Sequence, residues 1–167
     1  WIDKILSYKT TRLIAVSQNV SDYYQQKVGV SPTIIEVILN GIDIGAYEKG
    51  DRNKLRQELQ LPTTTPLIGM VGRMVSAKNY PRLVEAINQV KAVIPEIKCV
   101  IAGDGPERPL IEKCIQEHQL SDTIFLLGTR TDVKDILAGL DLFTLSSDRE
   151  GHPLTALEAQ VAGIPVV

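Results

Sequence analysis

The chain holds 167 residues, 44% hydrophobic and 23% charged, with a net charge of −2: enough for one soluble domain or one and a fraction. Only 5% of residues are aromatic and no dense lysine–arginine stripe occurs, which argues against a nucleic-acid surface. No apolar run reaches the ~20 residues of a membrane span and no signal peptide is visible, so the sequon Asn19-Val20-Ser21 reads as accidental.

Residues 1–9 read as a helix and Arg12 to Val16 as a strand. Ser17 is placed to cap a helix over about 18–28 that stops at Gly29. Ile34 to Leu39 is a second strand, closed by the turn signal Asn40-Gly41. Residues 42–50 are polar and without period, and read as a linker. Beyond it the pattern becomes regular. Helices are predicted over 51–60, 80–94, 107–118, 132–138 and 153–161, and strands over 66–72, 97–102, 123–127, 142–145 and from 164 on. Strands that are apolar throughout and alternate with helices predict a parallel sheet covered on both faces, with ligands at the carboxyl ends of the strands. Cys99 falls in a strand and Cys114 in a helix, so both are expected to be reduced residues of the interior. The absence of Met at Trp1 and the halt at Val167 inside a strand give the expectation of a chain truncated at both ends.

The carboxyl-end loops carry the candidate chemistry. After the strand Asp141 to Ser147 comes Glu150-Gly151-His152-Pro153-Leu154-Thr155-Ala156-Leu157-Glu158. A Gly turn followed by a helix starting at Pro153 makes an anion site, because the first helical N–H groups lack partners and the dipole is positive there. Glu150 lies in the loop and Glu158 on the second turn of that helix, a pairing suited to a ligand that is part phosphate and part polyol. Glu158 can accept hydrogen bonds from a ribose diol, and Glu150 can bind sugar hydroxyls or stabilise positive charge at an anomeric carbon. Arg73 and Lys78, in the loop after the strand 66–72, form a diphosphate clamp if they meet that helix; read singly they are solvent-exposed charges. His152 reads equally as a sugar or phosphate contact and as a helix cap, and His118 as a surface residue near a helix end. Gly103-Asp104-Gly105-Pro106 is a tight turn where backbone can approach a ligand, but it lacks the third Gly of the dinucleotide fingerprint. With no Asp-x-Asp pair and no His cluster, no metal is expected.

These pieces resemble the retaining nucleotide-sugar glycosyltransferases of the two-domain GT-B fold (the group 1, or family four, type). The motifs are Ile38 to Asp43 (ILNGID), Val71 to Asn79 (VGRMVSAKN), Ile101 to Arg108 (IAGDGPER), Leu126 to Leu137 (LLGTRTDVKDIL) and Asp141 to Val167. They occur in order and cover nearly the whole chain. The resemblance implies a Rossmann-like parallel sheet with helices on both faces, the C-terminal half of a GT-B fold. It implies that residues 1–40 are the remnant of an acceptor-binding domain, 41–50 the interdomain linker, and 51–167 an incomplete donor-binding domain. By position, Arg73 and Lys78 match the pair that contacts the donor diphosphate, joined by the backbone at Leu154 and Thr155. Glu158 matches the ribose-binding glutamate and Glu150 the catalytic one near the donor sugar, with Gly151 and His152 in that sugar's vicinity.

The activity implied is metal-independent, retaining transfer of a glycosyl group from a nucleotide-diphosphate sugar, such as a UDP- or GDP-sugar, to an acceptor hydroxyl. No cofactor is implied. The acceptor, a glycan, a lipid or a small molecule, would meet the missing domain, so the piece alone is expected to be inactive. A cytoplasmic location is implied, with peripheral association of the parent at the cytoplasmic membrane face left open. Base selection is expected near Gly128 to Asp132. Two departures are visible: His152 stands where an aromatic or apolar residue is common, and Gln160 where Met is usual. The alternatives are a non-catalytic nucleotide-sugar binding module and, fitting the ordered motifs poorly, a GT-B sugar-nucleotide epimerase.

Overall fold

The computed structural model describes residues 2–167, which pack as two compact units. The smaller comprises the residues up to Ile42 together with Glu150–Leu154; the larger comprises Asp43–Arg149 and Thr155–Val167.

In the smaller unit, helix α1 (Ile2–Ser7) precedes strand β1 (Leu13–Ala15), which pairs in parallel with β2 (Ile35–Val37). Between them lies α2 (Gln18–Tyr23), which continues as a π-helical turn over Tyr24–Val28 and ends at Gly29 in the left-handed region, φ 78°. Ser17 caps α2 as predicted: its hydroxyl accepts from the Val20 N–H at 3.3 Å, a contact worth about 1 kcal/mol in such positions.

In the larger unit, α3 (Ile44–Tyr47) is a single helical turn inside the segment read from sequence as irregular. Helix α4 (Arg52–Glu58) follows, capped by the Asp51 carboxylate on the Asn53 N–H at 2.9 Å. The four-stranded parallel sheet has the order β5-β4-β3-β6, from β3 (Leu67–Val71), β4 (Lys98–Ala102), β5 (Ile124–Gly128) and β6 (Leu142–Phe143). Past β6, Phe143 bridges in parallel to Val166. The crossovers are α5 (Tyr80–Lys91), α6 (Arg108–Glu117), α7 (Val133–Gly139) and α8 (Leu154–Val161).

The two-residue period of the strands sorts their side chains onto two faces. Met70, Cys99 and Ile101 pack with Leu83, Val84 and Ile87 of α5 and Ile111 and Ile115 of α6. Leu67, Val71, Val100 and Ala102 pack with Leu55 of α4, Ile136 and Leu137 of α7, and Ala159 of α8. The apolar strands of the sequence are thus covered on both sides, and each fully buried Leu, Ile or Met contributes about 1.5–3 kcal/mol. Gly69 of β3 makes room for Leu140: a Cβ there would stand 2.5 Å from the Leu140 side chain, which would have to shift.

One ion pair, from buried Arg56 to the exposed Asp141, fastens α4 beside the sheet. Arg56 is only 2% exposed, yet its guanidinium is fully engaged. It donates to the carbonyls of Gly139 at 3.0 Å and Thr65 at 2.8 Å and to Asp141 Oδ2 at 2.8 Å, and that same carboxylate oxygen accepts the Leu67 N–H at 2.9 Å. Cys99 and Cys114 are free, and burial pushes the Cys99 thiol up to about 12. Among the described residues no helix is long and apolar enough to cross a membrane.

Candidate functional site

The carboxyl end of the sheet in the larger unit is knitted together by main-chain hydrogen bonds. The Gly72 N–H donates to Ala102 O at 2.9 Å and the Gly103 N–H to Gly128 O at 2.7 Å. Met74 donates to Asp104 O at 2.9 Å and accepts from the Glu107 N–H at 3.1 Å. Gly103 sits at φ +136°, and a Cβ there would overlap the Gly72 carbonyl. The glycine is therefore explained by loop packing on loop, where the sequence had suggested backbone approach to a ligand.

Arg73 and Lys78 stand on this braced loop. The Val75 N–H turns back to Arg73 O at 3.0 Å, and Ser76–Lys78 form a 3-10 turn that ends at Asn79 in the left-handed region, φ 46°. Tyr80 donates its hydroxyl to Gly72 O at 2.8 Å and Ser146 donates to Lys78 O at 2.9 Å, fixing both ends of the loop. Arg73 is exposed and Lys78 half-buried. The Asn79 amide and the Arg82 guanidinium both donate to Asp148 Oδ1, at 3.0 and 2.8 Å, which ties the start of α5 to the loop after β6. These contacts hold the Asp148 carboxyl below the usual range, Asn79 being the larger cause.

At the end of β5, Gly128 turns the chain at φ +68°. Arg130 then forks onto Glu58, with contacts of 2.6 and 2.8 Å, and onto Asp132 at 2.8 Å. The hydrogen bonds from Arg130 lower both carboxyls, holding Asp132 well below the ordinary carboxylate range. The segment expected to meet the base is thus set on α4 by a bidentate clamp. Asp135 nearby accepts from the Asp51 N–H at 3.0 Å and from Lys54 Nζ at 2.7 Å.

Helix α8 begins at Leu154, with Pro153 just before its first residue. Ala159 faces the core, and its neighbour Glu158 is half-buried alongside Thr155 one turn earlier. The Tyr47 hydroxyl of α3 donates to Glu158 Oε1 at 2.8 Å. Tyr47 is the residue that sequence reasoning missed, since nothing local in a polar stretch signals a partner 111 positions away.

The predicted residues Glu150, Gly151, His152 and Leu154 belong to the smaller unit. There the Asn40 N–H donates to His152 Nδ1 at 3.1 Å, and the Asn40 amide donates to His152 O at 2.7 Å. Nδ1 as acceptor places the ring proton on Nε2, leaving that nitrogen as the donor. The His152 ring is therefore engaged with Asn40, of the Asn40-Gly41 turn. Gly151 lies against Val16 and Val20, where a Cβ would stand 3.0 Å from the Val16 Cγ2. Glu150 is half-buried. His118 is exposed at the end of α6, its Nδ1 paired with Cys114 O at 2.9 Å. Among the described residues, no three His, Cys, Asp or Glu side chains gather where they would hold a metal ion.

Residues 51–167 match the family model described as glycosyl transferases group 1. The chain is 33% identical to the UDP-Gal:alpha-D-GlcNAc-diphosphoundecaprenol alpha-1,3-galactosyltransferase of Escherichia coli, over all of this chain and 44% of that protein. It is 27% identical to the N-acetyl-alpha-D-glucosaminyl L-malate synthase of Bacillus anthracis, over 80% of this chain and 35% of that one. HepE of Anabaena, crystallised with UDP and glucose, superposes with a TM-score of 0.88 at 26% identity, covering 99% of this chain and 46% of HepE. WaaG, a glycosyltransferase of lipopolysaccharide biosynthesis, shares the fold with a TM-score of 0.81 at 21% identity, over 93% of this chain and 43% of WaaG. The chain spans less than half the length of each of these relatives.

Proposed function

Because the chain belongs to the group 1 glycosyltransferases, we propose that it is the donor-binding portion of a retaining enzyme that takes a uridine-diphosphate sugar. The observation that carries this reading is the family match over residues 51–167, a span that includes Arg73, Lys78, Glu150 and Glu158. The choice of uridine is supported by the UDP bound to HepE and by the UDP-Gal named for the Escherichia coli relative.

In this reading Arg73 forks onto the diphosphate and Lys78 adds a point charge, both from a loop already braced at Gly72 and Lys78 O. The N–H groups of Leu154 and Thr155, at the start of α8, add donors and the positive end of the helix dipole. Glu158 accepts from the ribose hydroxyls. Gly151 and His152 border the sugar, where the His152 Nε2–H is a donor for a hydroxyl. Glu150 stabilises positive charge as the bond from the anomeric carbon to the diphosphate breaks. The acceptor oxygen forms the new bond on the same face and passes its proton to the departing phosphate oxygen, so the nucleoside diphosphate leaves and configuration is kept. No metal takes part, because the cations Arg73 and Lys78 neutralise the leaving group. The acceptor, a glycan, lipid or small molecule, meets residues outside the donor-binding portion, so this chain alone binds donor without transferring it. The proposed setting is the cytoplasm, with peripheral membrane association of the whole enzyme.

Calorimetric titration with UDP, GDP and ADP tests the reading. Saturable UDP binding is expected, with Arg73→Ala and Glu158→Ala each costing about 1.5–3 kcal/mol as lost charge-assisted contacts. A folded chain that binds none of the three nucleotides, or binds UDP unchanged in both variants, would sink it.

A further inference from the structure

We infer that Tyr47 is a positioning residue for the ribose end of the donor: its hydroxyl fixes the Glu158 carboxylate so that the remaining lone pairs are presented to a vicinal diol. The inference rests on the ribose role proposed for Glu158.

The four-residue helix α3 is far too short to persist by its own hydrogen bonds. What ties it down is the Tyr47 ring, packed against the cluster that contains Leu55, Leu137 and Ala159. That packing fixes the ring, and the ring fixes the hydroxyl that donates to Glu158 Oε1 at 2.8 Å. A carboxylate offers about four lone-pair sites. The phenol occupies one on Oε1, leaving the second on Oε1 and both on Oε2, enough for two ribose hydroxyls. A glutamate on a helix surface otherwise samples many rotamers, and a diol that binds it must bear the cost of ordering the side chain. Here a neighbouring side chain has ordered it in advance. The phenol also remains a donor across neutral pH. The hydrogen bond to Glu158, followed by burial, pushes its pKa above the ordinary tyrosine value. Among the described residues the Tyr47 hydroxyl bonds to Glu158 alone, and a phenylalanine would pack the same cluster.

The test compares UDP with 2′,3′-dideoxy-UDP by calorimetry on the chain, on Tyr47→Phe and on Glu158→Ala. The unaltered chain is expected to prefer UDP by about tenfold or more, as two hydrogen bonds to a charged group imply. Glu158→Ala should abolish the preference. Tyr47→Phe should reduce it to about two- to threefold while leaving affinity for the dideoxy analogue unchanged. A Tyr47→Phe chain that keeps the full preference overturns the inference and leaves the Glu158 assignment intact. Equal weakening of both ligands in Tyr47→Phe also overturns it, because it marks Tyr47 as packing only. No preference in the unaltered chain removes the ribose assignment of Glu158, and the inference with it.

Discussion

The two parallel sheets of this chain are written in similar letters and buried to different degrees. Arg12 to Val16 and Ile34 to Leu39 are as apolar as the strands of the larger unit. Yet Ile14 of β1 is 61% exposed and Leu39, just past β2, is 62% exposed, whereas Leu67, Met70, Val100 and Ile101 of β3 and β4 are fully buried. Only Ala15 is buried within β1. The contrast teaches that an apolar run specifies a strand, while the number of covered faces depends on which helices the rest of the chain can lay against it. In the larger unit α5 and α6 cover one face and α4, α7 and α8 the other.

The sharpest way to break that contrast is to remove what fastens α4. Arg56→Ala leaves the carbonyls of Gly139 and Thr65 without their donor, while Arg52 and the Leu67 N–H still donate to Asp141, and is expected to destabilise the larger unit by about 2–4 kcal/mol. Denaturant unfolding, with hydrogen exchange at the β3 amides, would read it; a loss under ~1 kcal/mol would show that water replaces the guanidinium. Gly69→Val drives side-chain bulk into Leu140 and should cost about 1–3 kcal/mol by the same measurement. A smaller effect is acid sensitivity. Arg130 depresses the Asp132 and Glu58 carboxyls, and Lys54 depresses Asp135. A carboxylate with a lowered folded pKa adds stability above its unfolded value of about 4, and loses it as pH falls through the folded value. The larger unit should therefore weaken progressively below about pH 4, and Asp132→Asn should flatten that limb by roughly 1 kcal/mol between pH 7 and pH 3. An acid limb of the same slope in the variant would remove Asp132 from the account. The smallest effect is expected in the smaller unit. Ile14→Ser should change its stability by no more than about 0.5 kcal/mol, read by hydrogen exchange at the amides of β1 and β2. A larger loss would mean that this face is covered in solution.

The regular half of the fold was legible because its signals are local. The stripe Leu83, Ala86, Ile87, Val90 defines α5, and the run Cys99 to Ala102 defines β4. The motif order from Ile38 to Val167 carried the family, which the match over 51–167 bears out. What stayed hidden was partnership at long range. Arg56 reads as one more polar residue on an amphipathic helix, and only the closed structure brings Gly139 and Asp141 to it. Asn40 reads as half of a turn dipeptide, and its pairing with His152 spans 112 positions. Tyr47 sits in a segment with no period at all. Each of these side chains is recognised by a partner that the linear pattern does not bring near.

The main-chain stitching at the ends of β3, β4 and β5 has a practical consequence for anyone altering these loops. The contacts from Gly72 to Ala102, from Met74 to Asp104 and from Gly103 to Gly128 are all between backbone atoms. Side chains at Val75 and Thr129 can therefore be exchanged without removing any of these supports. Gly103, whose Cβ would strike the Gly72 carbonyl, is the position to keep. The loops form a chassis on which a library of side chains can be mounted and, under the proposed donor role, screened for new ligands.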